Sequence, residues 1–352
     1  MNLRQFLANE WRQLASVNHS DRPWEMPVAA ALASGLPIFI GAVFGELGLG
    51  LAASLGGLVF LHLPATRLSH RMAWLMACAF GMTASHALGL LAHLVPALLI
   101  PLLVTITLLV TMVVRFYAAP PPGPLFFVMA AAIGAYGPVH GRDALMQVGA
   151  VALGTVLAVA IAFVYSLHIV SRHGVPAPSP PSQPDFDVVV TDSVVIAAFV
   201  GLSLLAAHAL QLERPYWVPV SCLAVIQGAS LRAAWTRQVQ RILGTGLGLL
   251  LFLGIAQAPL GPWGVAAVLT TLALVIETLV VRHYGLATVF ITPLAILLAE
   301  AGQGFVAAPQ QLMQARLLDT VVGALLGLVG AACLHSPRLR AAIGAGLRRL
   351  RF

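Results

Sequence analysis

Arginines are the residues of this sequence best suited to bind a charged molecule, and several are spaced to share one helix face. Arg237 and Arg241 are four residues apart, with Arg232 just before them, and Arg67 and Arg71 form a matching pair earlier in the chain. Arginine can clamp a carboxylate with two parallel hydrogen bonds, so two such faces turned toward one axis would form a ring that concentrates organic anions. The alternative is that these cations set the membrane topology and reach lipid phosphates.

Three further ionisable residues lie inside apolar stretches, where a charge is costly unless it is paired, hydrated or neutralised. Glu277 is either a proton-coupling group or the partner of Arg241 or Arg282 in a structural ion pair. Arg316 and Asp319 are three residues apart and therefore lie on one helix face. They form either a local ion pair or part of an exit path.

Aromatic and proline residues mark two more candidate positions. Tyr216 and Trp217 open a short apolar stretch, where they either belong to an interfacial aromatic belt or stack on an aromatic substrate. Pro293 would break an apolar helix at mid-membrane depth, which is tolerated where the freed backbone faces protein or a cavity. No His, Cys or carboxylate cluster has metal-ligand or catalytic spacing, so we expect no metal, no cofactor and no enzymatic activity.

The composition indicates which elements hold these residues. Of the 352 residues, 59% are hydrophobic and 9% are charged, whereas a soluble domain is about 25% charged. This excludes a soluble globular enzyme, a disordered protein and a disulfide scaffold. At roughly 20 residues per span, the chain has room for about twelve membrane helices. The net charge of +7 is typical of cytoplasmic loops beside anionic lipid, and we expect no nucleic-acid binding.

Apolar stretches and turn residues divide the chain into five segments. We predict an interfacial amphipathic helix (1–22), a first set of six spans (23–170), a proline-rich cytoplasmic linker (171–189), a second set of six spans (190–336) and a basic amphipathic cytoplasmic tail (337–352).

The arginine distribution predicts the orientation of these spans. With a cytoplasmic N-terminus and twelve crossings, sixteen of the nineteen arginines fall on the cytoplasmic side, and only Arg142, Arg214 and Arg316 fall outside. We therefore expect an all-α, polytopic protein of the bacterial inner membrane with both termini in the cytoplasm.

The two sets of spans resemble each other at an offset of 167 residues. Val113–Tyr117 recurs as Val280–Tyr284, and the same offset pairs Ser54 with Ser221. Six spans per half is an even number, which predicts two parallel repeats related by an axis along the membrane normal. A transport path normally runs at the interface between such halves.

The second half resembles the FUSC (fusaric acid resistance protein-like) family. The resemblance rests on the Tyr-Trp pair that opens a short span, on a basic loop, on Arg-x-x-Gly-Thr-x-x-Gly at Arg241–Gly248, and on Arg-x-x-Asp-Thr-x-x-Gly at Arg316–Gly323. It is specific over 213–335 and weaker over 26–170.

This resemblance implies an inner-membrane transporter that exports organic anions such as aromatic carboxylic acids. The position of Glu277 inside an apolar stretch makes it the candidate for proton coupling. The plant aluminium-activated malate channels are distantly similar, so a passive anion channel is the alternative. Beside the small organic anion, we expect anionic lipid headgroups as partners, and either a second copy of the chain or an accessory efflux subunit. The substrate path is expected at Arg67, Arg71, Tyr216, Trp217, Arg232, Arg237, Arg241, Thr245 and Pro293.

Overall fold

The computed structural model describes residues 14–137, 142–174, 185–300 and 308–338, so most of the predicted interfacial helix, linker and tail lies outside it. The described residues form α-helices and short 3-10 turns, without strands. In chain order the helices are α1 (Glu25–Val43), α2 (Leu47–Gly57), α3 (Leu68–Leu91), α4 (Leu99–Phe116), α5 (Leu125–Tyr136), α6 (Arg142–His173), α7 (Phe186–Ala209), α8 (Trp217–Ile226), α9 (Leu231–Ala256), α10 (Pro262–Leu279), α11 (Tyr284–Glu300) and α12 (Pro309–Leu334).

These helices fall into two length classes. Among the described residues, eight helices are long and apolar enough to cross a membrane, namely α1, α3, α4, α6, α7, α9, α10 and α12. The remaining helices, α2, α5, α8 and α11, are apolar but shorter. A span of the hydrocarbon core needs about 20 residues, so a short helix depends on neighbouring helices to shield its ends. The predicted all-helical membrane fold is confirmed, and the count of twelve spans stays a prediction.

Short helix α8 illustrates this shielding. Every residue from Trp217 to Ile226 is buried, and the helix packs against α7, α9, α12 and α5. A helix that is apolar on all sides and contacts protein on all sides has no face for lipid. Its end residues therefore open into the bundle interior rather than into a lipid interface.

Helix contacts within α1–α6 (the first set) recur within α7–α12 (the second set). In the first set α1 packs on α2 and α6, α3 packs on α5 and α6, and α2 packs on α6. The corresponding helices of the second set are also in contact: α7 packs on α8 and α12, α9 packs on α11 and α12, and α8 packs on α12. The two sets meet through α1 with α10, through α4 with α7 and through α5 with α8, and the first two of these interfaces correspond to each other in the same way.

Glycines bring the short and long helices of each set to backbone contact. A Cβ on Gly154 of α6 would overlap the carbonyl of Ala53 in α2, and a Cβ on Gly323 of α12 would overlap the carbonyl of Val218 in α8. Small residues are the usual means of close helix approach in a membrane, where packing replaces the hydrophobic effect between helices.

We predict that Gly154→Ala lowers the thermal stability of the purified protein, because overpacking costs about 1–3 kcal/mol when neither backbone can move away. Gly149→Ala on the same helix is the matched control, since a Cβ there meets no atom within 4 Å. Thermal unfolding in detergent measures both variants. Equal melting temperatures for the two variants would contradict the close α2–α6 contact.

Candidate functional site

A cavity of about 1360 Å³ lies between the two sets of helices. This is larger than the roughly 300–1,000 Å³ of an ordinary small-molecule site. All four short helices contribute to its wall, together with α1, α3, α6, α9, α10 and α12. Its lining includes Arg232 and Arg282, which we expect on the cytoplasmic side, and Glu46, Asp143 and Arg214, which we expect on the outer side. The cavity therefore reaches residues assigned to both faces of the membrane.

Arg241 reaches this wall from α9 and is held by neutral partners. Its side chain is buried, with 5% of the residue exposed. Nη1 donates to the Tyr284 hydroxyl and Nη2 donates to Ser221 Oγ, each over 3.0 Å. The Nε–H group is buried and has no acceptor. Because its partners are hydroxyl groups, the positive charge of Arg241 is not neutralised by them.

Arg316 reaches the same wall from α12, where 3% of the residue is exposed. Its guanidinium carbon lies 4.0 Å from the centre of the Trp217 ring, a cation–π contact. Nε and Nη1 are buried without an acceptor. The structure places Arg316 inside the bundle, and its position on the outer side of the membrane stays a prediction.

The predicted ion pair between Arg316 and Asp319 is wrong. Across residues 14–137, 142–174, 185–300 and 308–338, no carboxylate lies within 4.0 Å of the guanidinium nitrogens of Arg316 or Arg241. Asp319 is fully buried, and neither of its carboxylate oxygens has a hydrogen-bond donor. Residues three apart share a helix face, but Arg316 turns its guanidinium toward the Trp217 ring instead.

Aromatic rings lie next to the two arginines. Tyr216 and Trp217 are buried and line the cavity, with ring centres 5.1 Å apart. Tyr136 of the first set lies 5.7 Å from Tyr216 and hydrogen-bonds through its hydroxyl to the ring of His208. Buried rings of this kind do not form a lipid-facing belt, so the belt alternative does not describe Tyr216 and Trp217.

Of the other predicted path residues in the second set, some line the cavity and others do not. Arg232 and Arg237 line the cavity, and the Arg237 guanidinium carbon lies 5.8 Å from the Tyr284 ring centre. Thr245 is buried between helices and does not line the cavity. Pro293 lies inside a continuous α11, so the predicted break in that helix does not occur.

The first-set arginines do not join this group. Arg67 is exposed, and Arg71 is buried with its Nε donating over 2.6 Å to the backbone carbonyl of Thr66. Neither residue lines the cavity. The predicted ring of five guanidiniums is therefore not formed, because Arg71 is bound within its own loop and Arg67 faces outward.

Glu277 has a partner that the sequence did not indicate. Its carboxylate lies 3.7 Å from Arg22 Nη1, so the predicted pairing with Arg241 or Arg282 is wrong. The Glu277 side chain is 12% exposed and borders the cavity. Arg22 precedes α1 and Glu277 is near the end of α10, so this contact depends on the packing of those two helices. A contact between residues this far apart leaves no local signal in the sequence.

The segment before α1, residues 14–24, also lies against the cavity, next to Glu277. Ser16, Asn18 and Arg22 contribute to the cavity lining. The Asn18 N–H donates to the Arg282 carbonyl over 2.8 Å, and the Leu14 carbonyl accepts from Gln240 Nε2 over 3.2 Å. These bonds connect the segment to α9 and to the loop between α10 and α11.

Two further ion pairs, each with a buried carboxylate, were not indicated by the sequence. Arg214, which lines the cavity, has its Nη2 2.9 Å from Glu300 Oε1. Arg115 Nη1 donates to Asp192 Oδ2 over 2.5 Å and connects α4 to α7. In each pair the two residues come from different helices or loops. The spacing of residues along one helix therefore gives no sign of the contact. In the part of the chain that the structure describes, no three His, Cys, Asp or Glu side chains could hold a metal ion.

Comparison with known proteins supports the predicted resemblance in the second half. Residues 202–330 match the family described as fusaric acid resistance protein-like. Over 138 residues the chain is 35% identical to the "Uncharacterized membrane protein YvaC" of Bacillus subtilis (strain 168), an alignment that covers 38% of this chain and 22% of that relative. The match thus spans less than a quarter of the relative's length. No solved structure matches the chain significantly.

These matches confirm the family resemblance over the matched residues and, together with the apolar helices, indicate a multi-pass membrane protein. The similarity to plant malate channels stays a prediction.

We predict that the cavity is open to water-soluble reagents. In a variant whose three native cysteines are replaced by alanine, Ala224→Cys on the cavity wall should react with a hydrophilic thiol reagent on the order of tenfold faster than Ala197→Cys. Both alanines are buried by surface area, but only Ala224 borders the cavity. Equal labelling rates in the folded variants would show that the cavity is closed to water.

Proposed function

We propose that this chain passes organic anions across the membrane through the cavity between its two sets of helices. One observation carries this proposal: the guanidiniums of Arg241 and Arg316 are buried at the cavity wall with N–H groups that lack acceptors. Arginine stays charged at any cellular pH, and a buried charge is unfavourable unless it is paired. A carboxylate in the cavity would supply the counter-charge that the two guanidiniums lack.

The neighbouring rings support an aromatic acid as the substrate. Tyr136, Tyr216 and Trp217 offer apolar faces beside the two cations. A flat ring bearing a carboxylate could stack on these faces while its charged group binds the guanidiniums. The matching family is described by resistance to fusaric acid, a pyridine carboxylic acid. That description supports export from the cytoplasm as the direction of transport.

The proposal includes a specific arrangement in the membrane. We infer twelve spans in two parallel six-helix repeats, in the bacterial inner membrane, with the cavity on the pseudo-two-fold axis and both termini in the cytoplasm. The recurring helix contacts support the duplication, and the arginine distribution supports the orientation. Arg67 is exposed on the proposed cytoplasmic side, where it would meet anionic headgroups. A second copy of the chain or an accessory efflux subunit is a further proposed partner.

A passive anion channel is the second candidate. The cavity borders residues assigned to both membrane faces, and a continuous aqueous path needs no moving part. Reversal potentials in reconstituted membranes separate the two candidates. Accumulation of the anion against its gradient, driven by a pH difference, excludes a simple channel, whereas flux that only follows the electrochemical gradient of the anion excludes a coupled transporter.

We predict that Arg241→Gln and Arg316→Gln each weaken benzoate binding between about tenfold and a hundredfold, since hydrogen bonds to a charged group contribute roughly 1.5–3 kcal/mol. Calorimetry on the purified protein measures the affinity. Arg67→Gln is the matched control, because this arginine is exposed and outside the cavity, and it should bind benzoate as the wild type does. Wild-type affinity in both cavity variants would refute the anion site.

We predict that Glu277→Gln abolishes pH-driven benzoate uptake into inverted vesicles without reducing expression. Glutamine keeps the shape of the side chain and removes the group that can exchange a proton at the cavity wall. Glu46→Gln provides the control, since Glu46 also lines the cavity but is exposed. Normal pH dependence in the Glu277 variant would remove Glu277 from the coupling mechanism.

A further inference from the structure

Asp319 is a buried carboxyl group whose surroundings do not account for its charge. No part of the residue is exposed, and neither oxygen accepts a hydrogen bond in the described structure. An ionised carboxylate in such a place would lose its hydration without gaining a donor, which is strongly unfavourable. A neutral, protonated carboxyl group avoids most of this loss.

The groups around Asp319 come from its own helix, from the loop before α8 and from the helices packed on α12. Arg316, Arg214 and Glu213 act on Asp319 electrostatically. Arg214 is already paired with Glu300. Arg241 of α9 and Tyr216 of α8 act in turn on Arg316. On α7, the ring of His208 is hydrogen-bonded to the Tyr136 hydroxyl.

Arg316 is the cation that shares helix α12 with Asp319. Two of its guanidinium nitrogens, Nε and Nη1, have no hydrogen-bond acceptor. It lies one helical turn away, so a change of rotamer could bring its guanidinium to the Asp319 carboxylate. The structure has the guanidinium on the Trp217 ring instead, beyond ion-pair distance of Asp319. The structure thus shows the position of Arg316 on the Trp217 ring, and helical spacing puts a second position, toward Asp319, within reach of the same side chain.

We propose that an organic anion binds to Arg241 and Arg316 only when Asp319 is protonated, the form that the described conformation favours, so that binding takes up one proton wherever the free protein has Asp319 ionised and paired with Arg316. This inference rests on the proposed function. When Asp319 is ionised, its carboxylate pairs with the Arg316 guanidinium, and Arg316 is then not available to bind the substrate. A proton moves from solvent to an Asp319 oxygen, Arg316 turns to the cavity, and the substrate carboxylate replaces Asp319 as its counter-ion.

The charge balance of the site supports this linkage. The anion adds one negative charge and the proton adds one positive charge, so the net charge around the two arginines does not change. With Asp319 ionised and paired to Arg316, the anion would instead have Arg241 without the second guanidinium and would lose those charge-assisted hydrogen bonds. Glu277 is a separate group, because it lies on α10 and its carboxylate is 3.7 Å from Arg22, so its proposed part in pH-driven uptake does not depend on Asp319.

Calorimetry with benzoate, on the full chain in lipid nanodiscs, tests the linkage between about pH 6 and about pH 8, where benzoate stays ionised. The wild-type affinity should weaken as pH rises, by up to about tenfold per pH unit, the limit for one linked proton. Titrations in buffers of different ionisation enthalpy should report an uptake approaching one proton per benzoate.

Asp319→Asn is the decisive variant because its amide resembles the protonated acid. It should bind benzoate with little pH dependence and without proton uptake, and at the high end of the pH range it should bind more tightly than the wild type. A misfolded protein cannot produce this gain. Asp143→Asn is the control, since it removes an exposed carboxylate from the same cavity and should keep the wild-type pH dependence.

Each outcome has a separate meaning. If the wild type does not bind benzoate, the proposed function itself is contradicted. If it binds and Asp319→Asn keeps the wild-type pH dependence and proton uptake, only the linkage is overturned. Should Asp319→Asn fail to fold, Asp319→Glu retains a titratable group and must keep a pH-dependent affinity. A pH-independent Asp319→Glu variant would overturn the linkage.

Discussion

A guanidinium cannot give up its charge inside a protein, and this constraint governs the centre of the bundle. Arg241 and Arg316 are almost fully buried, yet their partners are two hydroxyl groups and an indole ring. Such neutral partners orient a cation without neutralising it. Both residues line a large cavity, and the unfavourable free energy of burying two like charges beside it makes this wall attractive to an anion.

The fold creates this situation through its short helices. Helix α8 is surrounded by protein, and its first residues, Tyr216 and Trp217, face the cavity. The four short helices line the space between the two sets, while α4 and α7 lie outside it and join the sets. Both buried arginines at the cavity nevertheless come from the second set of helices. At the offset of 167 residues, Arg241 and Arg316 correspond to Trp74 and Gly149, so the two buried guanidiniums have no arginine counterpart in the first set.

Hydropathy predicted the all-helical fold with its apolar helices, because that signal is local in the sequence. The sequence left open whether Tyr216 belongs to a lipid-facing belt or lies at a substrate path, and the structure places it at the cavity. Local signals failed where tertiary packing decides the outcome. The Arg22–Glu277 contact requires α1 to meet α10, and Arg71 is held by its own loop instead of facing the axis. Pro293 does not break α11, since a helix packed among others can tolerate one missing backbone hydrogen bond.

The most direct test of the anion site is an experimental structure determined with 4-iodobenzoate, whose heavy atom can be located without ambiguity. The account predicts the ligand in the cavity, with its carboxylate within hydrogen-bond distance of both Arg241 and Arg316 and its ring against Tyr216 or Trp217. Bound 4-iodobenzoate elsewhere on the protein, or a cavity that stays without ligand at saturating concentration, would contradict the account.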